Sequence, residues 1–264
     1  HIGYHKLGFI QRTRYYIPAR NIWGAMIVNL TRMMCKRPHY GNYSEVEKYI
    51  NKDVVITYFY PSLDRTGRNP LIPEYTDEGI KYGDTYSESQ FEKIFIHSFG
   101  QTAIEPSSLT AEDGSLHETE YISPVVEEEN QSKSVYFVGY LIVKNNSDRG
   151  KIWKIKDSSP PNLRDVMREI SVGGEKRYGF GRLRLLSFSP LGDEGRVFGF
   201  QITEKKERVC ITIPKGKPIS AHLAVNDDLK IKGDLEPLVG WELKSDGYKL
   251  YQLHNKYNLF WIPG

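Results

Sequence analysis

Nine consecutive residues, VYFVGYLIV at positions 135–143, carry no charge and are almost wholly apolar. A run this short, rich in β-branched and aromatic side chains, reads as a strand, and one apolar throughout is expected to be buried on both faces. A second run of the same kind, DVVITYFY at 53–60, precedes it. Two helical patterns go with these strands. Pro18 suits a first helical turn, and Ile22, Met26, Leu30 and Met33/Met34 recur every three to four residues until Pro38 and Gly41 close the pattern. Asn162 can cap a second helix with Leu163, Val166, Met167 and Ile170 on its core side, stopped by Gly173 and Gly174.

A further strand is expected at 182–188, so the order is α–β–insertion–β–α–β. The chain begins at His1 without an initiator Met, and a strand ahead of the first helix is expected to lie outside this sequence. With it the order becomes βαββαβ, the ferredoxin-like (RRM-like) arrangement of an α+β fold. The expected division is a ferredoxin-like domain over 1–190, interrupted by an insertion at about 61–134, and a β-rich part over 191–264. Within the insertion, Pro61, Gly67, Pro70, Pro73, Gly79 and Gly83 break any regular pattern, and strands at 94–99 and 117–122 flank a loop at 105–114. The last part holds strands at 197–203, 208–213, 217–224 and 248–261 around turns at Gly216, Gly233 and Asp246-Gly247; a second ferredoxin-like unit is one reading of it.

Net charge is only +3, so any site for a polyanion must come from local clustering. Clustering is present. Residues 1–44 hold seven cations (Lys6, Arg12, Arg14, Arg20, Arg32, Lys36, Arg37) and no acid, whereas residues 101–131 hold eight acids and no Lys or Arg. Such asymmetry points to separate faces for separate partners, or to solvated faces alone. Aromatic residues reach 12% with 18 Tyr, which suits either a β-heavy core or a base-stacking surface. Cys35 and Cys210 stand far apart beside apolar neighbours, in no CxxC pair, and are expected to be reduced core thiols. No stretch of about 18 apolar residues and no leader pattern is visible, so a cytoplasmic protein is expected.

The segment richest in chemistry is GGEKRYGFGRLRL at 173–185. Gly173, Gly174, Gly179 and Gly181 permit positive φ and close approach of a polymer. Lys176, Arg177, Arg182 and Arg184 can neutralise phosphates, and Tyr178 and Phe180 can stack on bases. No Ser or Thr follows Lys176 as a phosphate-binding P-loop requires, and the expected order is helix then strand, which also excludes a dinucleotide fingerprint. A plain structural turn is the alternative.

This segment resembles the glycine-rich loop of the CRISPR-associated RAMP superfamily. IPARNIWGAM (17–26) is similar to that family's entry into its first helix, and TAEDGSLHETEYI (110–122) to its insertion hairpin. GDLEPLVGWE (233–242) and the terminal WIPG resemble the larger subunits of type III effectors. The resemblance implies a non-catalytic subunit that grips guide RNA, at its 5′ handle, beside other RAMP subunits and a large polymerase-like subunit. Target RNA is then a partner only indirectly, and no membrane, cofactor or metal takes part. Arg12, Arg14 and Arg20 join the glycine-rich loop as expected RNA contacts. The acidic segment 105–129 would repel phosphate, and is assigned to a protein neighbour or to solvent.

Catalytic alternatives are a metal-dependent backbone subunit that cuts target RNA and a metal-independent guide-processing endoribonuclease. The first would need a positioned carboxylate, Asp64 or Asp113; the second a base such as His5, His39 or His97. None of these stands in a diagnostic spacing.

Overall fold

A computed structural model describes residues 1–144, 162–190, 195–205, 208–244, 247–253 and 256–264. The chain is a mixed α+β protein. The turn expected at Asp246 and the boundary expected at 191 lie outside the described residues.

A hairpin of Gly3–Leu7 (β1) and Ile10–Thr13 (β2) precedes the first helix, where no paired strands were expected. β1 is exposed along its whole length, so no alternation marks it in the sequence. Helix α1 (Ala19–Met34) follows as expected, with Ile22, Met26 and Leu30 fully buried. Gly41 does not end the helical region but lies inside a second helix, α2 (Tyr40–Asp53), which the sequence reading lacks. His39 caps it: Gly41 N–H donates to His39 Nδ1 (3.1 Å) while His39 N–H donates to Asn42 Oδ1 (3.1 Å). Only Val46 and Ile50 are fully buried there, too thin a stripe to stand out in sequence.

Residues 53–60 and 135–143 each divide in two. Val54–Ile56 (β3) and Tyr60–Ser62 (β4) pair antiparallel with segments of the later run. Between these two runs, Pro73–Thr76 (β5), Gly79–Tyr82 (β6) and Tyr86–Ser87 (β7) form a meander leading into helix α3 (Glu88–Phe95). Ile94 and Phe95 therefore end a helix, and the strand expected from 94 is β8 (Ile96–Gln101). β9 (His117–Ile122) matches its expected bounds. The sheet order β1-β2-β9-β8, parallel between β2 and β9, joins the first residues to the inserted hairpin. Val125–Glu128 (β10) and Gln131–Ser134 (β11) make one more hairpin. Tyr136–Val138 (β12) pairs with β4, and Leu141–Val143 (β13) with β3. These strands are half-buried, with Val143 exposed, rather than covered on both faces.

Asn162 caps α4 (Leu163–Met167) as expected, its Oδ1 accepting from Asp165 N–H at 2.9 Å. The helix is shorter than its pattern implied. Ile170 belongs to a strand, Glu169–Ser171 (β14), antiparallel to Arg182–Arg184 (β15). Beyond residue 190 no helix occurs among the described residues. Arg196–Val197 (β16), Phe200–Lys205 (β17) and Arg208–Thr212 (β18) form one antiparallel sheet. Leu223–Ala224 (β19) and Leu235–Glu236 (β20) flank the terminal Phe260–Trp261 (β23), while Val239–Lys244 (β21) and Gly247–Gln252 (β22) pair with each other.

Two apolar cores result. One gathers α1, α2, β3, α4 and β14 with Ile2, Ile17 and Val172. The other, Leu71, Tyr82, Tyr86, Phe91, Phe95 and Val126, lies wholly within the segment read as an insertion, which thus carries a core of its own. Cys35 and Cys210 are free thiols but only half-buried, not core residues. No described helix is long and apolar enough to cross a membrane.

Candidate nucleic-acid interface

Because β14 pairs with β15, the glycine-rich segment is the loop of a hairpin and not a helix-to-strand connection. Val172 N–H donates to Gly181 O at 2.9 Å and closes its stem. Gly173 (φ 74°) and Gly181 (φ 78°) occupy the left-handed region. A Cβ at Gly173 would stand 2.0 Å from the carbonyl oxygen of His1, and one at Gly181 would stand 1.9 Å from that of Val172. These two glycines therefore make room for the protein's own backbone, not for a polymer. Gly174 shares the stem, its N–H donating to His1 O at 3.2 Å.

The tip differs. Lys176, Arg177 and Tyr178 form a turn of 3-10 helix that is exposed throughout, Tyr178 to 61%, and open space surrounds Gly179. Among the described residues neither Lys176 nor Arg177 has an ion-pair partner. Partial desolvation of the Lys176 ammonium, and after it the charge of Arg32 in the last turn of α1, lower the Lys176 pKa.

The other expected RNA contacts are engaged elsewhere. Arg182 is exposed but bound to Glu169 across the hairpin (Nε–Oε1 2.7 Å, Nη2–Oε2 3.0 Å). Arg12 pairs with Glu120 at 2.8 Å and Glu92 at 3.3 Å. Arg14 is a largely buried fork on Glu236, Nη1–Oε1 2.5 Å and Nη2–Oε2 2.9 Å. Arg20 lies over the Trp23 ring, 4.8 Å from its centroid.

Phe180 turns inward from the loop. Its ring lies 5.1 Å from Tyr121 on β9 and 6.5 Å from Phe99 on β8, and Tyr121 in turn lies 6.2 Å from His97. The β8–β9 register sets His97 opposite Tyr121, Phe99 opposite Thr119 and Gln101 opposite His117, so all six share one face. Glu118 and Glu120 fall on the other face by the same alternation. The sequence reading missed this array; the alternation of HETEYI was the signal for it.

The candidate nuclease residues do not converge. The Asp64 carboxylate closes its own turn, accepting from Thr66 N–H (2.8 Å) and the Thr66 hydroxyl (2.7 Å). Chiefly the Thr66 bonds, with help from Arg68, hold its pKa below the usual carboxylate value. Asp113 is exposed on the connection between β8 and β9, and His5 is exposed on β1 against the edge of Tyr4. No contact links the three. His39 caps α2 and His97 joins the aromatic array. Among the described residues no group of three or more His, Cys, Asp and Glu side chains is placed to hold a metal.

A second polar cluster, also missed, ties the two ends of the chain together. Glu236 accepts from Arg14 and from His222, whose side chain is 2% exposed, and His222 Nδ1 lies 2.6 Å from the Tyr58 hydroxyl. A carboxylate only accepts, so the hydrogen in the Glu236–His222 bond sits on Nε2, and in the neutral ring Nδ1 accepts from Tyr58. Burial raises the Glu236 pKa, but bonds from His222 and Arg14 outweigh it and the carboxyl stays below its usual value. Burial pushes the Tyr58 phenol up to about 12.

No family model matches the chain, and no curated protein matches it.

Proposed function

We propose that this chain is a non-catalytic RNA-binding subunit of a type III CRISPR effector ribonucleoprotein, holding single-stranded guide RNA through the tip of its glycine-rich loop. The observation that carries the reading is the exposed Lys176-Arg177-Tyr178 turn, whose two cations have no ion-pair partner among the described residues. Cations for phosphates and a ring for a base are what single-strand recognition draws on. The succession α1, β3–β4, β12–β13, α4, β14–β15, with α1 and α4 packed into one core, supports a ferredoxin-like unit of the RAMP kind. In this reading the particle is cytoplasmic and its other members are RAMP subunits and the polymerase-like subunit. The acidic segment 105–129 meets protein or solvent at its tip.

The test is binding of labelled single-stranded repeat RNA across a salt series. Lys176→Ala with Arg177→Ala should lower affinity and reduce the slope of log K against log salt by about 0.7 for each single-strand phosphate no longer neutralised. An unchanged slope would remove the tip from the RNA site. Arg14→Ala, by contrast, should leave the slope alone, because its guanidinium is engaged by Glu236. Repeat RNA incubated with the protein in EDTA should stay intact; specific cleavage would favour a processing endoribonuclease.

A further inference from the structure

We infer that the open face of the β8–β9 strands is a nucleobase-binding platform, taking an unstacked base of the RNA whose phosphates the loop tip holds. The inference rests on the RNA-binding reading and adds to it a site and the chemical group that fills it.

Three observations converge. The first is the ring array: Phe99 is half exposed, His97 is exposed, and Tyr121 and Phe180 are only partly covered. A structural plug would bury its rings, whereas these present aromatic surface to solvent beside the loop. The second is charge. The rows of this face, read through the register from β8 across β9 to Gln11 and Lys6, contain no carboxylate, although the strands themselves carry Glu118 and Glu120. Alternation turns those acids to the opposite face, where Glu120 is neutralised by Arg12. A base approaching from the loop side therefore meets rings and no carboxylate in a segment whose overall charge is strongly negative.

The third observation points to a ligand with hydrogen-bonding edges. Thr119 is 0% exposed and its Oγ1 has no hydrogen-bond partner. By the register it lies on this face, opposite Phe99. A hydroxyl left unsatisfied in the row of Phe99 can both donate and accept. Such a group suits the edge of a base already held by its π-face. Phosphate would make no use of the rings, so the site is built for the base and the tip for the backbone.

The experiment compares His97→Ala/Phe99→Ala with wild type. Both side chains are exposed and outside the two cores, so the substitutions should leave the melting temperature unchanged. Three measurements are made: affinity for single-stranded RNA, affinity for inorganic polyphosphate as a base-free polyanion, and the salt slope. The expected result is RNA binding about 5- to 150-fold weaker, as for loss of one stacked base, with polyphosphate affinity and salt slope unaltered. Phe99→Trp, which keeps a ring, should retain RNA affinity. Unchanged RNA affinity in the double variant, or an equal loss for polyphosphate, would overturn the platform while the loop-tip substitutions still flatten the slope. A wild-type protein that binds no single-stranded RNA at any salt would overturn the loop reading and the platform together.

Discussion

At Gly173 one absent carbon decides how two parts of the chain meet. Any L side chain there faces a left-handed backbone and a carbonyl oxygen at 2.0 Å, whereas Gly179, also left-handed at φ 90°, faces open space. Alanine at either position takes on the strain of positive φ, about 1 kcal/mol or somewhat more. Only Gly173→Ala must also push back the backbone of His1. Gly173→Ala is therefore expected to melt several degrees below Gly179→Ala, on a scale of about 2–4 °C per kcal/mol for a chain of this size. Equal melting temperatures would show that the N-terminal residues yield freely. The residue scale also explains why the sequence misled about the glycines. Their clustering was legible, but whether a glycine makes room for a ligand or for the protein's own backbone depends on His1 and Val172, and spacing says nothing of that.

Among the elements, α3 owes its start to Ser87 and Gln90. Ser87 N–H donates to Gln90 Oε1 at 2.9 Å, and Gln90 N–H reaches back to Ser87 Oγ at 3.4 Å. This reciprocal pair satisfies two backbone donors that an uncapped helix leaves open. Ser87→Ala should cost about 1 kcal/mol in chemical denaturation and, on the proposed RNA-binding reading, leave RNA affinity unchanged, separating the second core from the proposed binding face; a loss of RNA affinity would join them. The motif S-x-x-Q was in plain sight, yet the surrounding prolines and glycines at 61–83 suggested a region without regular structure. In contrast, α1 was legible because Ile22, Met26 and Leu30 all point into one core. Leu30→Ala there should cost about 2–5 kcal/mol, the usual result of emptying a fully buried leucine site. β14 reads as helix in the sequence because Ile170 continues the spacing of Leu163, Val166 and Met167; three residues of strand are too few to show a different period.

Over the whole molecule, the Arg14–Glu236–His222–Tyr58 cluster fastens the first residues and β3–β4 to the β-rich end. Positions 14 and 236 are 222 residues apart, and a single sequence holds no signal that would pair them. Breaking one partner of a buried ion pair strands the other, so Glu236→Gln is expected to destabilise the protein by about 3–5 kcal/mol at neutral pH. The pH dependence has a definite sign. Glu236 titrates lower in the folded protein than the roughly 4.3 of a free glutamate. Its contribution is therefore complete above that value and fades as pH falls through the folded pKa. Urea titrations from pH 7 down to pH 3 should show the wild type converging on Glu236→Gln at the acid end; a gap that stays constant would mean that another group carries the effect. The division of the glycine-rich hairpin has a consequence for how such a protein can diversify. Its anchorage uses Gly173 and Gly181, and its exposed tip is positions 176–179, so the two draw on different residues. Substitutions at the tip can therefore change what the loop presents to solvent while the anchorage keeps the chain foldable.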